Sequence, residues 1–570
     1  MMSRLTRNII TVFAILSYNF ESFSQSSSGN GQLINVKDHE AVGDGKTDDT
    51  KAIQEVISQA TEGDTVFIPE GTFLVRALGL KSGVHIKGEG LLVQQVEGEL
   101  EEFRPSKQNS SAPLFRGNNI SNVFLSFRAK TENEAIYLSG SKDITIANSQ
   151  LEGNPDKIRS FAGILFYDCE NVSITKSSIS HYGAERKHPN KYQPGTAIRI
   201  LSSKNMSVTH SNIFENGENG VFMHDTPDVE VSHNRIQNNG MSAIQVAFGR
   251  NGIEKNYLFI NNVMEGNAAD AIDINNRSLV KYLNINCRIE NNISRNNGFV
   301  NGESTPDGSG IATLINISGV EMFNNIAEGN NRPALYIESC GSIFASGNKA
   351  DNQVEVVLDF EELKLSNNTF SIVSLLANVK GKKLLMTNNE LQSLSLPNGI
   401  HVDSLLLRNN IIENASLNFN MTGNVRLKGN VIKSKAKDGA ILIVRTSSIV
   451  LERNQIKSTS SYAISIRKMA TNVSILNNNI MSVNACIFDF GSKGLHIADN
   501  KLVSLEGGGF RHTLISKNPN QLVLSNNEHE TDSKANALRL EGPGTALVLN
   551  ESIIQGYADY GSVEVKKARN

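Results

Sequence analysis

The 570-residue sequence contains no tryptophan, four cysteines and only 12 prolines. Lys and Arg number 55 against 58 Asp and Glu, which gives a formal net charge of −3. A chain without a basic excess has no long-range field to attract nucleic acid, so we expect no nucleic-acid partner. Cys169, Cys287, Cys340 and Cys486 are too few and too irregularly spaced for a disulfide framework or a metal site. We expect them to be buried packing residues.

Long hydrophobic runs are also lacking. The apolar run at the N-terminus covers only residues 9–16, whereas a membrane-spanning helix needs about 20 residues. Arg4 and Arg7 precede this run, and Ser22-Phe23-Ser24 follows it, which is the pattern of a secretory signal peptide. We therefore predict a signal peptide over residues 1–25 and a secreted or periplasmic mature chain with no membrane span.

What the sequence does contain is a repeat. The pattern apolar-x-apolar-x-x-Asn, as in Val425/Leu427/Asn430, recurs from Asn348 onward at steps of mostly 20 to 24 residues. Earlier copies carry serine in the asparagine position, as at Ser177. This step fits three short strands and three turns per coil, and stacked Asn amides can form hydrogen bonds from coil to coil. The sequence therefore predicts an all-β solenoid of about nineteen coils.

Two segments near the N-terminus carry a family resemblance. Residues 41–54 (AVGDGKTDDTKAIQ) and 63–73 (GDTVFIPEGTF) resemble the opening of pectate-lyase-like proteins, in particular the rhamnogalacturonase/epimerase type. The resemblance implies a single-stranded right-handed parallel β-helix with a short N-terminal capping α-helix. The same opening occurs in lyases, hydrolases, epimerases and phage tailspikes, so it indicates the fold more than the reaction. We predict a cap with the first coils over 26–110, further coils over 111–570, and the site within 160–340.

The predicted helix has its own local signals. Thr47 is a plausible N-cap, and Asp48 and Asp49 favour the positive end of a helix dipole. Ile53 and Val56 lie on its apolar face. We therefore expect these aspartates to be structural rather than catalytic.

A second repeated element, small-apolar-x-apolar, allows the coils to be aligned. If its apolar residue points into the core, the next residue points outward. One outward column then comprises Tyr137, Leu165, Arg199, Phe222, Gln245, Asp273, Ala312 and Tyr336. A second, two residues further on, comprises Ser139, Tyr167, Leu201, His224, Ala247, Asn275, Leu314 and Glu338. At about 4.8 Å per coil, Arg199, His224 and Asp273 are predicted to share one face within about 14 Å.

Two coils carry insertions, over residues 181–192 and 296–309. Both lie at the corner just before the outward columns begin their next strand. Because insertions on one face of a solenoid commonly form a binding wall, we expect these two to line a cleft beside the columns.

The sharpest motif is Asp270-Ala271-Ile272-Asp273, preceded by Asn267. It is similar to the Asn-Thr-Asp-Gly-x-Asp motif of polygalacturonase-type glycosidases. There the aspartates protonate the leaving oxygen and activate water, and the resemblance implies these roles for Asp270 and Asp273. The paired aspartates of the next coil are represented only by Asp307-Gly308, and the Gly-His-Gly and Arg-Ile-Lys signatures are absent. Inverting hydrolysis therefore lacks its usual partners here.

The Asp-x-x-Asp spacing also resembles calcium-binding coils of β-helix lyases. In that reading Asp270 and Asp273 would hold a calcium ion that binds a uronate carboxylate and acidifies the proton at C5. His224 or Arg199 would then remove the proton, with Lys281 as a more distant candidate base.

The sequence thus predicts an exported carbohydrate-active enzyme that cleaves an acidic, uronate-containing polysaccharide. Its chemistry would be that of a polysaccharide lyase or of a polygalacturonase-type glycoside hydrolase. The alternatives are a non-catalytic glycan-binding or surface-structural solenoid and a uronate epimerase. The candidate catalytic residues are Asp270, Asp273, His224 and Arg199. The candidate substrate-binding residues are Tyr167, Phe222, Gln245, Asn275, Tyr336 and Glu338. We expect a monomer whose partner is the polysaccharide, with calcium as the one candidate cofactor.

Overall fold

The computed structural model describes residues 31–96, 112–154, 162–420, 423–446, 448–505, 512–531 and 534–567. The predicted signal peptide lies outside these residues. Fifty-five strands join in one continuous sheet, wound into a parallel β-solenoid of about 21 turns. The all-β solenoid is confirmed, whereas the prediction of about nineteen coils was too low. The first coils, such as the one containing Thr65–Ile68, lack the repeated asparagine from which coils were counted.

A typical coil consists of three short strands joined by tight turns. Two successive coils have these strands: Thr196–Leu201, Lys204–Thr209 and Asn212–Phe214, then Val221–His224, Val229–Ser232 and Arg235–Gln237. Their register is parallel, with Ile198 beside Val221 and Met206 beside Val229. Since a strand of three to six residues is not stable alone, each coil depends on the coils above and below it. None of the described helices is long and apolar enough to cross a membrane.

Seven strands of one face position the candidate site, and we call this face the site face. In chain order they are β1 (Ala162–Tyr167), β2 (Thr196–Leu201), β3 (Val221–His224), β4 (Ile244–Ala247), β5 (Ile272–Asn275), β6 (Ala312–Ile315) and β7 (Leu335–Ser346). Their inward side chains, such as Ile198, Ile244 and Ile272, belong to one continuous buried core. The alternate side chains point outward, as the period of two requires.

The repeated asparagines form a buried ladder that confirms the predicted coil-to-coil bonding. Asn389 is typical: its side-chain Nδ2 donates to Leu365 O (2.8 Å) and Asn410 Oδ1 (2.9 Å). Its Oδ1 accepts the backbone N–H and the side-chain amide of Asn368, both at 3.0 Å. The residue before each ladder position adopts a left-handed backbone, as at Asn388 (φ 55°). The ladder therefore satisfies buried backbone groups at each of these turns.

Replacing Asn389 with alanine is expected to destabilise its coils by about 3 kcal/mol or more. The substitution leaves the buried amide groups of Asn368 and the carbonyl of Leu365 without partners, and each orphaned group costs about 1–3 kcal/mol. Hydrogen exchange of the backbone amides in residues 363–414 measures the loss. The matched control is Gln392→Ala on an exposed strand position of the next face, where we expect less than about 0.5 kcal/mol. Equal protection in both variants would contradict the ladder's role.

A second, shorter asparagine ladder lies at the corner that leads into the site face, and the sequence analysis missed it. Asn216, Asn239, Asn267, Asn297 and Asn330 are linked in the same way, for example Asn239 Nδ2 to Asn267 Oδ1 at 2.9 Å. Asn267, the first residue of the glycosidase-like motif, is therefore a buried ladder residue.

The N-terminal helix runs from Thr50 to Gln59, preceded by a short 3-10 helix over Val36–His39. Its N-cap position is Asp49, so the prediction of Thr47 was wrong. Thr47 belongs to the strand Asp44–Asp48 and donates its backbone N–H to the Asp44 carboxylate (2.8 Å). The Asp49 carboxylate accepts the backbone N–H groups of Val42 and Gly43, which gives this aspartate a structural contact at the start of the helix. The helix buries Ile53, Val56 and Ile57 in the same core as the coils.

The cysteines behave as predicted. Cys169, Cys287, Cys340 and Cys486 are all buried with free thiols, and burial raises the pKa of each. The thiols of Cys169 and Cys340 donate to backbone carbonyls of the preceding coil, Leu138 O and Leu314 O respectively.

Candidate active site

The strand register places the first outward row as predicted over four coils. Arg199, Phe222, Gln245 and Asp273 are direct neighbours on β2 to β5. The second row runs Tyr167, Leu201, His224, Ala247 and Asn275 from β1 to β5. Three coil steps, about 14 Å, separate Arg199 from Asp273. These candidates therefore lie on one face.

The next coil corrects the predicted rows. Asp273 is paired with Thr313 rather than Ala312, and Asn275 with Ile315 rather than Leu314. Ala312 and Leu314 are both buried in the core. The turns still align, since Ala271 N donates to Ser309 O, so this coil has one extra residue between its turn and its strand. One extra residue reverses the side chains that follow it, and it presents Thr313 beside Asp273.

Asp270 lies in the turn before β5 and is 6% exposed. Its Oδ1 accepts the backbone N–H groups of Gly308 (3.2 Å) and Ser309 (2.6 Å). It also accepts the Thr313 hydroxyl at 3.0 Å. The carboxylate therefore anchors the end of the 296–309 insertion to the site face, and these donors favour its charged form.

Asp273 has a different environment, because a single donor among the described residues contacts its carboxyl. Gln245 Nε2 donates to Asp273 Oδ2 at 2.8 Å. The Gln245 side chain is fixed by Asn219, which donates to its Oε1 (3.0 Å) and accepts the backbone N–H of Ser242 (3.0 Å). The other oxygen, Asp273 Oδ1, is inaccessible and has no hydrogen-bond partner within the described part of the chain.

The two carboxyl groups therefore titrate differently. Burial and the negative charge of Asp270 raise the pKa of Asp273 to about 7, with a smaller contribution from Asp307. Burial also raises the pKa of Asp270, but its hydrogen-bond donors oppose that effect. In this pair Asp270 is the group better stabilised as a carboxylate, and Asp273 is the group that retains a proton near neutral pH.

The two insertions meet, as the predicted cleft wall requires. Tyr192 Oη donates to Asp307 Oδ2 at 2.9 Å, and the Arg186 guanidinium packs over the Tyr192 ring at 4.4 Å. Arg186 also donates to Gly240 O (2.9 Å) on an intervening coil. The insertions precede β2 and β6, which are four coils apart, so they reach toward each other across the corner. We call this structure the insertion roof.

Arg199 is less available than the sequence suggested. Its guanidinium lies 3.5 Å from Glu218 Oε2 and 4.3 Å from the centre of the Phe222 ring, and the side chain is 15% exposed. Thr196 donates its hydroxyl to the same Glu218 oxygen (2.6 Å). Arg199, Phe222 and Glu218 thus form a packed unit on the wall of the site.

His224 lies in the second row with a side chain that is 40% exposed. Its Nδ1 lies 3.4 Å from Asp225 Oδ2. Beneath it, Glu254 is buried and accepts the backbone N–H of Asp225 (3.2 Å). Burial and the charge of Asp225 raise the pKa of Glu254, although its backbone hydrogen bonds oppose this.

The remaining candidates lie around this centre. Tyr336 is two coils from Asp273 in the same row, about 10 Å away, and its hydroxyl donates to Glu338 Oε2 (2.5 Å). Tyr167 and Asn275 are partly exposed in the second row. Lys281 instead pairs with Asp359 at 3.5 Å. Next to Tyr167, the outward residues Tyr137 and Leu165 are buried in a small cluster on the outer side, so that part of the face is covered.

Asp270 and Asp273 do not make up a calcium site. Calcium takes six to eight oxygen ligands, whereas hydrogen-bond donors already point at Asp270 Oδ1 and Asp273 Oδ2. Among the described residues no group of three or more His, Cys, Asp or Glu side chains could hold a metal ion. The geometry of Asp270 and Asp273 fits a pair of carboxyl groups that exchange protons better than it fits a cation-binding site.

The sequence analysis identified Asp270 but missed Asn219, Ser242 and Ser309. Asn219, Ser242, Asp270 and Ser309 occupy one turn row, because each backbone bonds to the next coil. Each stands immediately before the small-apolar element, as in Asn219-Gly220. Reading the repeat one residue earlier would have found this polar row. Nothing in the repeat indicates the extra residue between the turn and β6, which brings Thr313 beside Asp273.

The described fold also agrees with sequence comparisons. Residues 33–244 match the family described as rhamnogalacturonase A/epimerase, pectate lyase-like. Residues 356–510 match the right-handed beta-helix region. The chain is a pectate-lyase-like right-handed β-helix protein. The resemblance seen in residues 41–73 is thereby confirmed.

This β-helix protein has relatives of different kinds. It is 28% identical over 198 residues to plasmin and fibronectin-binding protein A of Streptococcus pneumoniae, covering 31% of the chain and 23% of that protein. It is 44% identical over 77 residues to alginate lyase 7 of Azotobacter vinelandii, covering 11% of the chain and 9% of that protein. A mannuronan C5-epimerase of the same organism is 42% identical over 77 residues, covering 11% and 6%. The chain thus spans less than a quarter of the length of these relatives.

Among solved structures, a family 28 exopolygalacturonase from Yersinia enterocolitica is 13% identical. The match covers 88% of this chain and 79% of that one, with a TM-score of 0.33.

Proposed function

We propose that this β-helix protein degrades an acidic polysaccharide by hydrolysis, with Asp273 as the proton donor. One observation carries the proposal: Asp273 lies in the outward row, and burial and the charge of Asp270 raise its pKa to about 7, so that a large fraction of it is protonated at neutral pH. A general acid works best when its pKa is near the working pH. A carboxylic acid beside an ionised carboxylate is a combination that glycoside hydrolysis uses.

The other candidates take supporting roles in this proposal. Asp270 supplies the negative charge that keeps Asp273 protonated, and Gln245 orients the acid. Asp307, held by Tyr192, is the carboxylate proposed to accept a proton from the attacking water. Phe222, Tyr167, Asn275, Tyr336 and Glu338 remain proposed contacts for the sugar units. His224 is proposed as a substrate contact, because its imidazole lies in the second row and its side chain is 40% exposed.

Lyase chemistry is less well supported. It needs a base for the C5 proton and a cation that stabilises the resulting charge. Arg199 is held by Glu218 and Phe222, Lys281 pairs with Asp359, and the two aspartates do not form a calcium site.

Two relatives support the substrate class. Alginate lyase 7 and the mannuronan C5-epimerase are both named for uronate polymers. The epimerase favours a second candidate function for this chain, uronate epimerisation, which would alter the sugar composition without cutting the polymer. We also propose export through the signal peptide at residues 1–25, capping of the first coils by the helix Thr50–Gln59, and a monomeric protein.

Incubating the mature protein with polygalacturonate, polymannuronate and polyguluronate, with and without chelator, tests the proposal. We expect new reducing ends from one of these polymers, no ultraviolet-absorbing unsaturated product, and no effect of chelator. Unsaturated products would establish a lyase, and altered composition at constant length would establish an epimerase. Binding to a polymer without any turnover would favour a non-catalytic glycan-binding solenoid.

A further inference from the structure

Two loops border the site face on the side opposite the insertion roof. They comprise residues 248–256, after β4, and 276–282, after β5, and we call them together the loop wall. The strands they leave are adjacent, with Ala247 beside Asn275. The loops also pack together: a Cβ added to Gly252 would lie 3.2 Å from the Val280 side chain and 3.3 Å from that of Ser278. They form one continuous surface.

The backbone of the loop wall is held in place by its own polar groups. The buried Glu254 carboxylate accepts the N–H of Gly249 at 2.8 Å and that of Asp225 at 3.2 Å. Asn276 accepts the N–H of Ser278 (2.8 Å) and donates to Val280 O (2.9 Å). Side chains carried by fixed loops bind a ligand with little ordering cost.

The loop wall is basic although the whole chain is slightly acidic. Its four exposed charged residues are all cationic: Arg250, Lys255, Arg277 and Lys281. Its one acidic residue, Glu254, is buried. Lys281 is paired with Asp359. Arg277 is near enough to the centre for its positive charge to lower the pKa of Asp273.

This arrangement addresses a requirement of the proposed substrate. A uronate polymer carries one carboxylate per sugar, and these charges must be matched locally because the net charge of the chain is −3. Arg199 is mostly buried against Glu218 and Phe222 and does not present its guanidinium to the open face. Arg250 and Arg277 of the loop wall are exposed, and a guanidinium binds a carboxylate through two parallel hydrogen bonds.

We propose that Arg277 and Arg250 bind the carboxylates of successive uronate units, with Arg277 serving the unit beside Asp273. The strands that lead into their loops, β4 and β5, are neighbours in the sheet, about 4.8 Å apart along the solenoid axis. This assignment rests on the proposed substrate class and makes these two arginines the determinants of selectivity for charged over neutral glycans.

Calorimetric binding of hexamers of galacturonate, mannuronate and guluronate to the full mature chain tests the assignment. All variants are made in an Asp273→Asn background. In this background the hexamers are not turned over, and Arg277 cannot change the measured affinity through the pKa of Asp273. We expect Arg277→Gln and Arg250→Gln each to weaken binding of the preferred hexamer about ten-fold, since a hydrogen bond to a charged group contributes about that factor or more. Binding of the corresponding carboxyl-reduced hexamer should not change between variants.

Arg277→Lys should recover part of the affinity, because it restores the charge without the paired donors. The matched control is Arg408→Gln, which removes an exposed arginine from a strand end on the C-terminal coils. If Arg250→Gln and Arg277→Gln bind like the control while the wild-type chain degrades the polymer, the assignment is wrong and the proposed function stands. If the wild type binds uronates through these arginines without turnover, the proposed reaction is wrong and the assignment stands. Absence of binding to any uronate hexamer would overturn both.

Discussion

Replacing Asp273 with asparagine is expected to reduce depolymerisation about a thousand-fold while making the protein more stable at pH 8. The activity falls because an amide cannot donate the proton that the leaving oxygen needs, and general acids contribute about 10²- to 10⁴-fold. The amide has the same shape and can still accept the hydrogen bond from Gln245. Initial rates of reducing-end release from the preferred polymer measure this effect.

The gain in stability follows from the raised pKa. Asp273 has a pKa of about 7 in the folded chain against an ordinary value of 3.8, so the folded state binds this proton more tightly than the unfolded state. The stabilisation is complete below about pH 4 and is lost as the pH rises through 7, after which the ionised carboxylate opposes folding by up to about 4 kcal/mol. Asp273→Asn removes that opposition, so its Tm should exceed that of the wild type at pH 8 and approach it near pH 4.

The matched control for both measurements is Asp403→Asn, which removes an exposed carboxylate from a strand of the C-terminal coils. It should retain full activity and show no such pH-dependent gain in Tm. A fully active Asp273→Asn variant would remove the proposed proton donor. An inactive variant whose Tm follows the wild type at both pH values would show that Asp273 does not hold a proton in the folded chain.

Replacing Asp270 with asparagine is expected to shift the pH dependence of activity while changing the maximal rate only a little. The new amide oxygen can still accept hydrogen bonds from Gly308, Ser309 and Thr313, so the insertion should stay anchored. The negative charge that raises the pKa of Asp273 is gone, and removing a like charge at short range lowers a carboxyl pKa by about one or more. The alkaline limb of the profile of rate against pH should therefore move toward lower pH by about one unit, which makes the rate at pH 8 about ten-fold lower.

Asp270→Ala serves as the comparison, because it removes both the charge and the acceptor for the insertion. We expect it to lose activity at every pH, with greater proteolytic sensitivity of residues 296–309. If Asp270→Asn keeps the wild-type profile, then Asp270 does not set the protonation of Asp273, and its role is confined to anchoring the insertion.

The fold and the rows of the site face could be predicted because they depend on periodicities. Alternation of two along a strand and the small-apolar-x-apolar element of each coil placed Arg199, Phe222, Gln245 and Asp273 in one row, as the strand register has them. The prediction failed at the next coil, where one extra residue presents Thr313 in place of Ala312. A bulge of one residue leaves the spacing of asparagines nearly unchanged, so the repeat does not reveal it.

Side-chain partners were harder to predict than positions. Arg199 is in the predicted row, but its availability depends on Glu218, which comes from a turn that the row does not include. Gln245 was predicted to bind substrate, but its hydrogen bonds to Asp273 and from Asn219 were not predicted. Such contacts join a strand residue to a turn residue, and they depend on the rotamer of each side chain. The sequence repeat gives the position of a residue in its coil but not its rotamer.

The insertion roof has a mechanical consequence. In a solenoid each coil ordinarily contacts only its neighbours, so a force along the axis would separate coils one by one. The hydrogen bond between Tyr192 and Asp307 joins residues 115 positions apart and bridges about 19 Å of the stack. Arg186 ties an intervening coil to the same bridge. Under tension the coils that carry the carboxyl pair should yield as one block, and the extension at that step should correspond to the whole bridged segment rather than to a single coil.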